Sequence, residues 1–261
     1  MGGKISAVRD GHIGWLVIDH PERRNAIDLE MWRALPGVAE ELDADEAVRV
    51  VVLRGAGEVA FVSGADISEF ERTRSGAAKA ADYEATTGRA FAALAGVAKP
   101  VVAMIHGFCV GGGMATALAA DLRYAAADAV FAIPAARLGL GYHASGVEAL
   151  VRLVGPATAK EVFFTARRYP ADRARELGLV NEVFAKDELE ERVRGIAGEI
   201  ARNAPLTLRS VKRVTQELER PPEERDARAV REAIRRCFES EDYREGVRAF
   251  LEKRSPVFRG R

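Results

Sequence analysis

His106-Gly107-Phe108-Cys109-Val110-Gly111-Gly112-Gly113-Met114 follows directly on the apolar run Val101-Val102-Ala103-Met104-Ile105. A β-rich run, then glycines, then renewed apolar residues reads as a buried strand, a tight turn and a helix start. The segment from Pro100 to Ala120 has no formal charge and the length of a membrane span. Pro100 at its head, His106 within it and the glycines at 107 and 111–113 break it as a spanning helix. A strand entering a helix through such a turn leaves backbone N–H groups unpaired at the helix N-terminus, where the dipole favours negative charge.

A second turn of the same kind lies upstream, Phe61-Val62-Ser63-Gly64-Ala65-Asp66-Ile67. If the two turns converge, two N–H donors aim at one oxygen and form an oxyanion hole. A phosphate cradle is the competing reading of the triple glycine. The run lacks the Gly-Lys-Ser/Thr ending of a P-loop, and Gly107-x-x-x-Gly111 is not the dinucleotide spacing. Turn formation alone also accounts for each glycine run taken singly.

Around these turns the first half alternates short apolar strands with helices. Trp15 to Ile18, Val50 to Leu53, Leu122 to Ala125 and Val130 to Ile133 read as strands. Asp28 is the expected N-cap of a helix reaching Leu42, with Trp32, Leu35 and Val38 as its apolar points. Asp66 with Glu69 three residues on has the pattern of a capping box. Ala77 to Val97 reads as a long helix that Lys99-Pro100 ends. From Ala144 the texture is helical, interrupted at Gly155-Pro156, by a short strand over 180–184, at Asn203-Ala204-Pro205 and at Pro221-Pro222.

The 261 residues suffice for a large core without staples. Lys plus Arg (39) balances Asp plus Glu (39), so no global field recruits nucleic acid or an anionic membrane. The two cysteines, Cys109 and Cys237, form no CxxC pattern, which excludes a disulfide framework and a cysteine zinc site and fits a reducing compartment. The first residues show no apolar secretory run, and a cytoplasmic protein is expected.

Taken in register, several segments resemble the crotonase (enoyl-CoA hydratase/isomerase) superfamily across essentially the whole chain. They are His20-Pro21-Glu22-Arg23-Arg24-Asn25-Ala26, the two glycine turns, Phe131-Ala132-Ile133-Pro134, Leu138-Gly139, Leu177-Gly178-Leu179-Val180 and Phe250-Leu251-Glu252-Lys253-Arg254. The resemblance implies an α/β fold, a crotonase-type spiral of ββα units over 1–200 with a helical C-terminal trimerisation subdomain over 201–261. It implies a homotrimer or dimer of trimers and an acyl-CoA thioester as ligand, with coenzyme A entering as part of the substrate and no separate cofactor or metal. By position, the amides of Ala65 and Gly112 would hold the thioester oxygen. Arg24, Ser63, Asp66 and Ile67 would lie along the CoA path, and Phe250 and Lys253 would reach its adenine or phosphate end from a neighbouring subunit. N-capping by itself also explains Asp66.

The sequence departs from the hydratase pattern where the proton transfers are made. Hydratases of the family use two glutamates, one after the glycine run and one after the Phe-x-x-Pro segment; here those positions hold Ala115 and Ala135. Alanine transfers no proton, so the two-carboxylate mechanism is absent. The nearest remaining polar groups are in the turn Gly141-Tyr142-His143-Ala144-Ser145-Gly146. His143 has the titration range for acid–base work, and Tyr142 can hydrogen-bond a carboxylate, although both types also serve structural ends. Glu69, Asp82 and Glu84 are rivals that read first as solvated helix-face residues. His106 reads as a satisfied core histidine and Cys109 as a buried small hydrophobe. The stretch from Phe131 to Val183, the ending from Glu239 to Gly246 and Tyr142 resemble the methylmalonyl-CoA decarboxylase branch, although that branch has histidine where Ala65 stands. Lyase, decarboxylase or isomerase chemistry on a thioester enolate is therefore expected before hydration. The alternative is a CoA-thioester-binding protein without catalysis.

Overall fold

The computed structural model describes residues 2–142 and 144–261. β1 (Lys4–Asp10) and β2 (Ile13–Asp19) form an antiparallel hairpin that leads into α1 (Leu29–Ala44). Three strand-strand-helix passages follow. The first is β3 (Val50–Gly55), β4 (Ala60–Val62), α2 (Phe70–Arg74) and α3 (Ala77–Gly96). The second is β5 (Val101–Ile105), β6 (Phe108–Val110) and α4 (Gly112–Leu118). The third is β7 (Leu122–Ala126), β8 (Val130–Ala132) and α5 (Ala144–Thr165), and then come β9 (Tyr169–Pro170), α6 (Ala171–Glu176) and β10 (Glu182–Phe184). The chain ends in α7 (Leu189–Arg202), α8 (Pro205–Leu218), α9 (Ala227–Glu239) and α10 (Glu241–Leu251).

Each passage gives its first strand to one sheet and its second to another. The larger sheet has the order β1-β2-β3-β5-β7-β10, parallel from β2 onward, and the smaller has the order β4-β6-β8-β9. This repetition winds the chain into a spiral of ββα units. Parallel strands covered on both faces demand apolar residues at every position, which is why the runs at 50–53 and 101–105 do not alternate. Val51, Leu53, Val101 and Ala103 face the main core beneath α1 and α3. Val50, Val52, Val102 and Met104 face Val193, Ala197 and Ala201 of α7.

Local signals account for most element ends. Asp28 caps α1, its carboxylate accepting from the Met31 N–H at 2.8 Å. A positive φ of 78° at Gly155 breaks α5 where Gly155-Pro156 predicts a break. The capping box at Asp66 does not form. Asp66 accepts from the Ser68 N–H and starts a single 3-10 turn at Ile67–Glu69. Glu69 instead accepts from the Leu29 N–H at 3.0 Å, tying the second donor turn to the start of α1. Among the described residues no helix is long and apolar enough to cross a membrane.

Candidate active site

The two donor turns meet. A Cβ on Gly113 would lie 2.1 Å from the Val62 carbonyl oxygen, so only glycine lets the first turn of α4 press against the end of β4. Gly111, at φ 54° and ψ −109°, reverses the chain into α4, and its N–H donates to the Ala132 carbonyl at 2.8 Å. On the other turn the Ile27 N–H donates to Gly64 and the Asp66 N–H to Ile27, at 2.9 and 3.0 Å. A Cβ on Gly112 would sit 3.3 Å from the Ala65 nitrogen, which measures how closely the turns approach. The Ala65 N–H makes no hydrogen bond among the described residues. Gly112 opens α4, so its N–H has no carbonyl one turn back in the helix. Each turn thus offers an unused main-chain donor, and the two lie side by side.

Beside them is a cavity of about 470 Å³ walled by Gly112 and Ala115 of α4, Trp32 of α1, Tyr83 and Phe91 of α3, and Tyr142. Trp32 meets Phe91 edge to face at 5.2 Å and donates its indole N–H to the Tyr83 hydroxyl at 2.9 Å. Tyr142 packs edge to face on Phe163 at 4.8 Å, with its hydroxyl 3.5 Å from the Gly111 carbonyl. Burial pushes its phenol up to about 12 against the opposing pull of Arg74. Tyr142 is therefore a neutral donor across the working pH range. His143 lies outside the described residues.

Ala115 and Ala135 sit differently. Ala115 is on the cavity wall, where a longer side chain would enter the cavity. Ala135 is buried in the core at the start of a 3-10 turn. Of the rival carboxylates, Glu84 is exposed, as a helix-face residue should be, but it also borders the cavity, and it is engaged in an interaction of its own. Glu69 is occupied by Leu29 and Arg72.

The residues expected along the CoA path fall into two groups. Arg24 is exposed, with its guanidinium over the Phe108 ring at 5.2 Å, and its carbonyl accepts from the Ser63 N–H at 3.1 Å. Ser63, Asp66 and the exposed Ile67 follow on the second turn. Partial burial works to raise the Asp66 carboxyl, but the Ser68 donors with Arg23 and His20 outweigh it and hold the group below its ordinary value. Phe250, at the end of α10, and Lys253, just past it, are both exposed and do not line the cavity.

Two core groups complete the picture. His106 is buried but not satisfied, because its Nε2 has no hydrogen-bond partner among the described residues. Burial, reinforced by Arg54 and Lys186, lowers its pKa and keeps the ring neutral. Cys109 is fully enclosed, and burial pushes its thiol up, so it is no nucleophile. Arg74, Trp32, Tyr83 and Phe91 are cavity residues that the sequence motifs do not single out.

Comparison with known proteins agrees with this architecture. The enoyl-CoA hydratase/isomerase family model matches residues 9–261. The chain is 33% identical to the short-chain-enoyl-CoA hydratase of Clostridium acetobutylicum, over 94% of each protein. It is 33% identical to the carnitinyl-CoA dehydratase of Salmonella typhi, over 100% of each. Among solved structures, an enoyl-CoA hydratase/carnithine racemase from Magnetospirillum magneticum superposes with a TM-score of 0.94 at 36% identity, covering 98% of this chain and 96% of the other. With its spiral of ββα units and its apposed glycine turns, the chain belongs to the enoyl-CoA hydratase/isomerase family of the crotonase superfamily.

Proposed function

We propose that this protein is an acyl-CoA enzyme that holds the thioester oxygen between the Ala65 and Gly112 amides and works on the resulting enolate by lyase, decarboxylase or isomerase chemistry rather than hydration. The observation that carries the reading is the pair of apposed amides, unused among the described residues, beside a cavity that Gly112 lines and whose wall at position 115 is alanine. Negative charge develops on the thioester oxygen as the enolate forms, and preorganised amides stabilise that charge without reorganising. Adding water needs a base for the water and an acid for the α-carbon, and neither Ala115 nor Ala135 supplies one.

The proposed reaction is a decarboxylation of the methylmalonyl-CoA type. The bond between the α-carbon and its carboxylate breaks, its electron pair passes into the enolate, carbon dioxide leaves, and the α-carbon then takes a proton. Tyr142, on the cavity wall, is assigned to orient the departing carboxylate, and His143 to deliver the proton. Alanine at position 65, where that branch has histidine, leaves this chain with the amide alone at that point. Malonyl- and methylmalonyl-CoA are the first substrates to assay. On whichever thioester turns over, Tyr142→Phe and His143→Ala should each lower kcat at least tenfold, about 1.4 kcal/mol of transition-state stabilisation. A smaller loss in both would make the turn structural.

The test of the reading as a whole is binding. Titration calorimetry with acetyl-CoA and a short enoyl-CoA should give saturable heat at or below millimolar ligand. No heat, together with no competition by CoA, would remove the central claim. A non-catalytic CoA-thioester-binding protein is the second reading, favoured by alanine at both glutamate positions. It requires binding without turnover of any thioester in a broad panel.

Arg24, Ser63, Asp66 and Ile67 are assigned to the CoA path, with Phe250 and Lys253 coming from an adjacent subunit of a homotrimer or dimer of trimers. The C-terminal helices leave large apolar side chains uncovered in the protomer: Leu218 on α8, Phe238 on α9, and Phe250 and Leu251 on α10, the last two 84% and 75% exposed. So much apolar surface on one subdomain asks for a partner. Light scattering at micromolar concentration should give three or six times the protomer mass, and a monomer would contradict the assignment.

A further inference from the structure

One cation stands in the cavity with no carboxylate paired to it among the described residues. Arg74, the last residue of α2, lines the wall with its guanidinium carbon 3.8 Å from the Tyr83 ring centroid and 4.1 Å from that of Phe70. Its Nε is buried and has no hydrogen-bond partner among the described residues. No ion pair to Arg74 occurs among the described residues, whereas Arg72, two positions earlier, is paired with Glu69. The one carboxylate on the same wall among the described residues, Glu84, is engaged in an interaction of its own.

Aromatic faces fix a guanidinium and strip part of its water, which strengthens its attraction for an anion that can reach its N–H groups. The position also gives a direction. Trp32 lies where a Cβ on Gly112 would meet it at 3.2 Å, Trp32 bonds Tyr83, and Tyr83 carries Arg74 on its ring, so an indole and a phenol separate the guanidinium from the amide pair. A group anchored by its thioester at Gly112 therefore meets Arg74 at its far end. We propose that Arg74 is the specificity-determining residue of this cavity, and that the acyl group it selects ends in a distal carboxylate, as in a short dicarboxylic acyl thioester. This inference rests on the acyl-thioester reading above. It concerns a different carboxylate from the one on the α-carbon that Tyr142 is assigned to orient.

Glutaryl-CoA and butyryl-CoA serve as probes, since they share the thioester and differ chiefly in the terminal carboxylate. Calorimetry on the wild-type protein should show glutaryl-CoA bound roughly ten- to a hundredfold more tightly, the range of one charge-assisted hydrogen-bonded pair. Arg74→Met should erase that preference while leaving butyryl-CoA affinity within about threefold, and Arg74→Lys should retain part of it. Retained butyryl-CoA binding in the variants also shows that the cavity is still folded. Equal affinities in the wild type, or a preference that survives Arg74→Met, overturn the assignment while leaving the acyl-thioester reading intact. If neither probe binds the wild type, the acyl-thioester reading falls and this inference with it.

Discussion

Replacing Gly112 with alanine is expected to lower kcat on the enzyme's best thioester by roughly a hundred- to a thousandfold, the usual cost of one oxyanion donor. The added methyl carbon would stand 3.3 Å from the Ala65 nitrogen, against the donor that the thioester oxygen needs, and 3.2 Å from Cζ2 of Trp32. Both contacts are tight but not prohibitive, so the fold should survive with the indole giving way by a few tenths of an ångström. Gly113 could not serve as the probe, because a methyl there would collide with the Val62 carbonyl at 2.1 Å and separate the turns outright. The measurement is single-turnover kinetics beside a thermal melt. A melt close to wild type with less than threefold loss of turnover would show that the oxygen is held elsewhere.

The second large effect runs in the opposite direction. Wild-type hydration of crotonyl-CoA should be slower than in a two-glutamate hydratase by several powers of ten, since one positioned acid or base typically contributes roughly a hundred- to ten-thousandfold. Introducing Ala115→Glu and Ala135→Glu together should recover at least a hundredfold of that rate, again on the scale of one such group. The two sites will not be equally forgiving. A carboxylate at 115 projects from the cavity wall, whereas one at 135 starts from a core position only 6% exposed and must reach the cavity to escape a burial cost. Stability should therefore fall mainly through the change at 135. Wild-type hydration as fast as in ordinary hydratases, with no gain in the double variant, would mean that another group already performs the proton transfers.

Much of this architecture is legible in the chain because it is local. Apolar runs such as 50–53 and 101–105 announce strands buried on both faces, and the glycine run at 111–113 announces a turn that requires glycine at 111, for its backbone, and at 113, for its close approach to Val62. β1 escapes the same reading because its residues, Lys-Ile-Ser-Ala-Val-Arg-Asp, are those of an exposed edge strand that needs charge rather than hydrophobicity. β9 is two residues long and leaves no periodicity to detect. The box at Asp66 misleads because Glu69 has a better donor on α1, 40 residues away in sequence. The cavity wall is illegible for the same reason. Trp32 looks like any apolar helix position until Tyr83 and Gly112 arrive beside it from other passages of the spiral. Arg74 looks like a surface arginine until its two rings are placed.

The groups assigned to the thioester oxygen are main-chain atoms, and this separates two kinds of inheritance within one gene. An amide persists through almost any codon change that keeps the backbone path, as alanine at position 65 illustrates. Proton-handling groups are side chains, and a single codon can add or delete each one. A lineage built this way can exchange its reaction while its fold and its grip on the thioester stay constant. Overall similarity among such proteins therefore tracks the shared electrophile, and the reaction must be read from the few wall positions where the side chains differ.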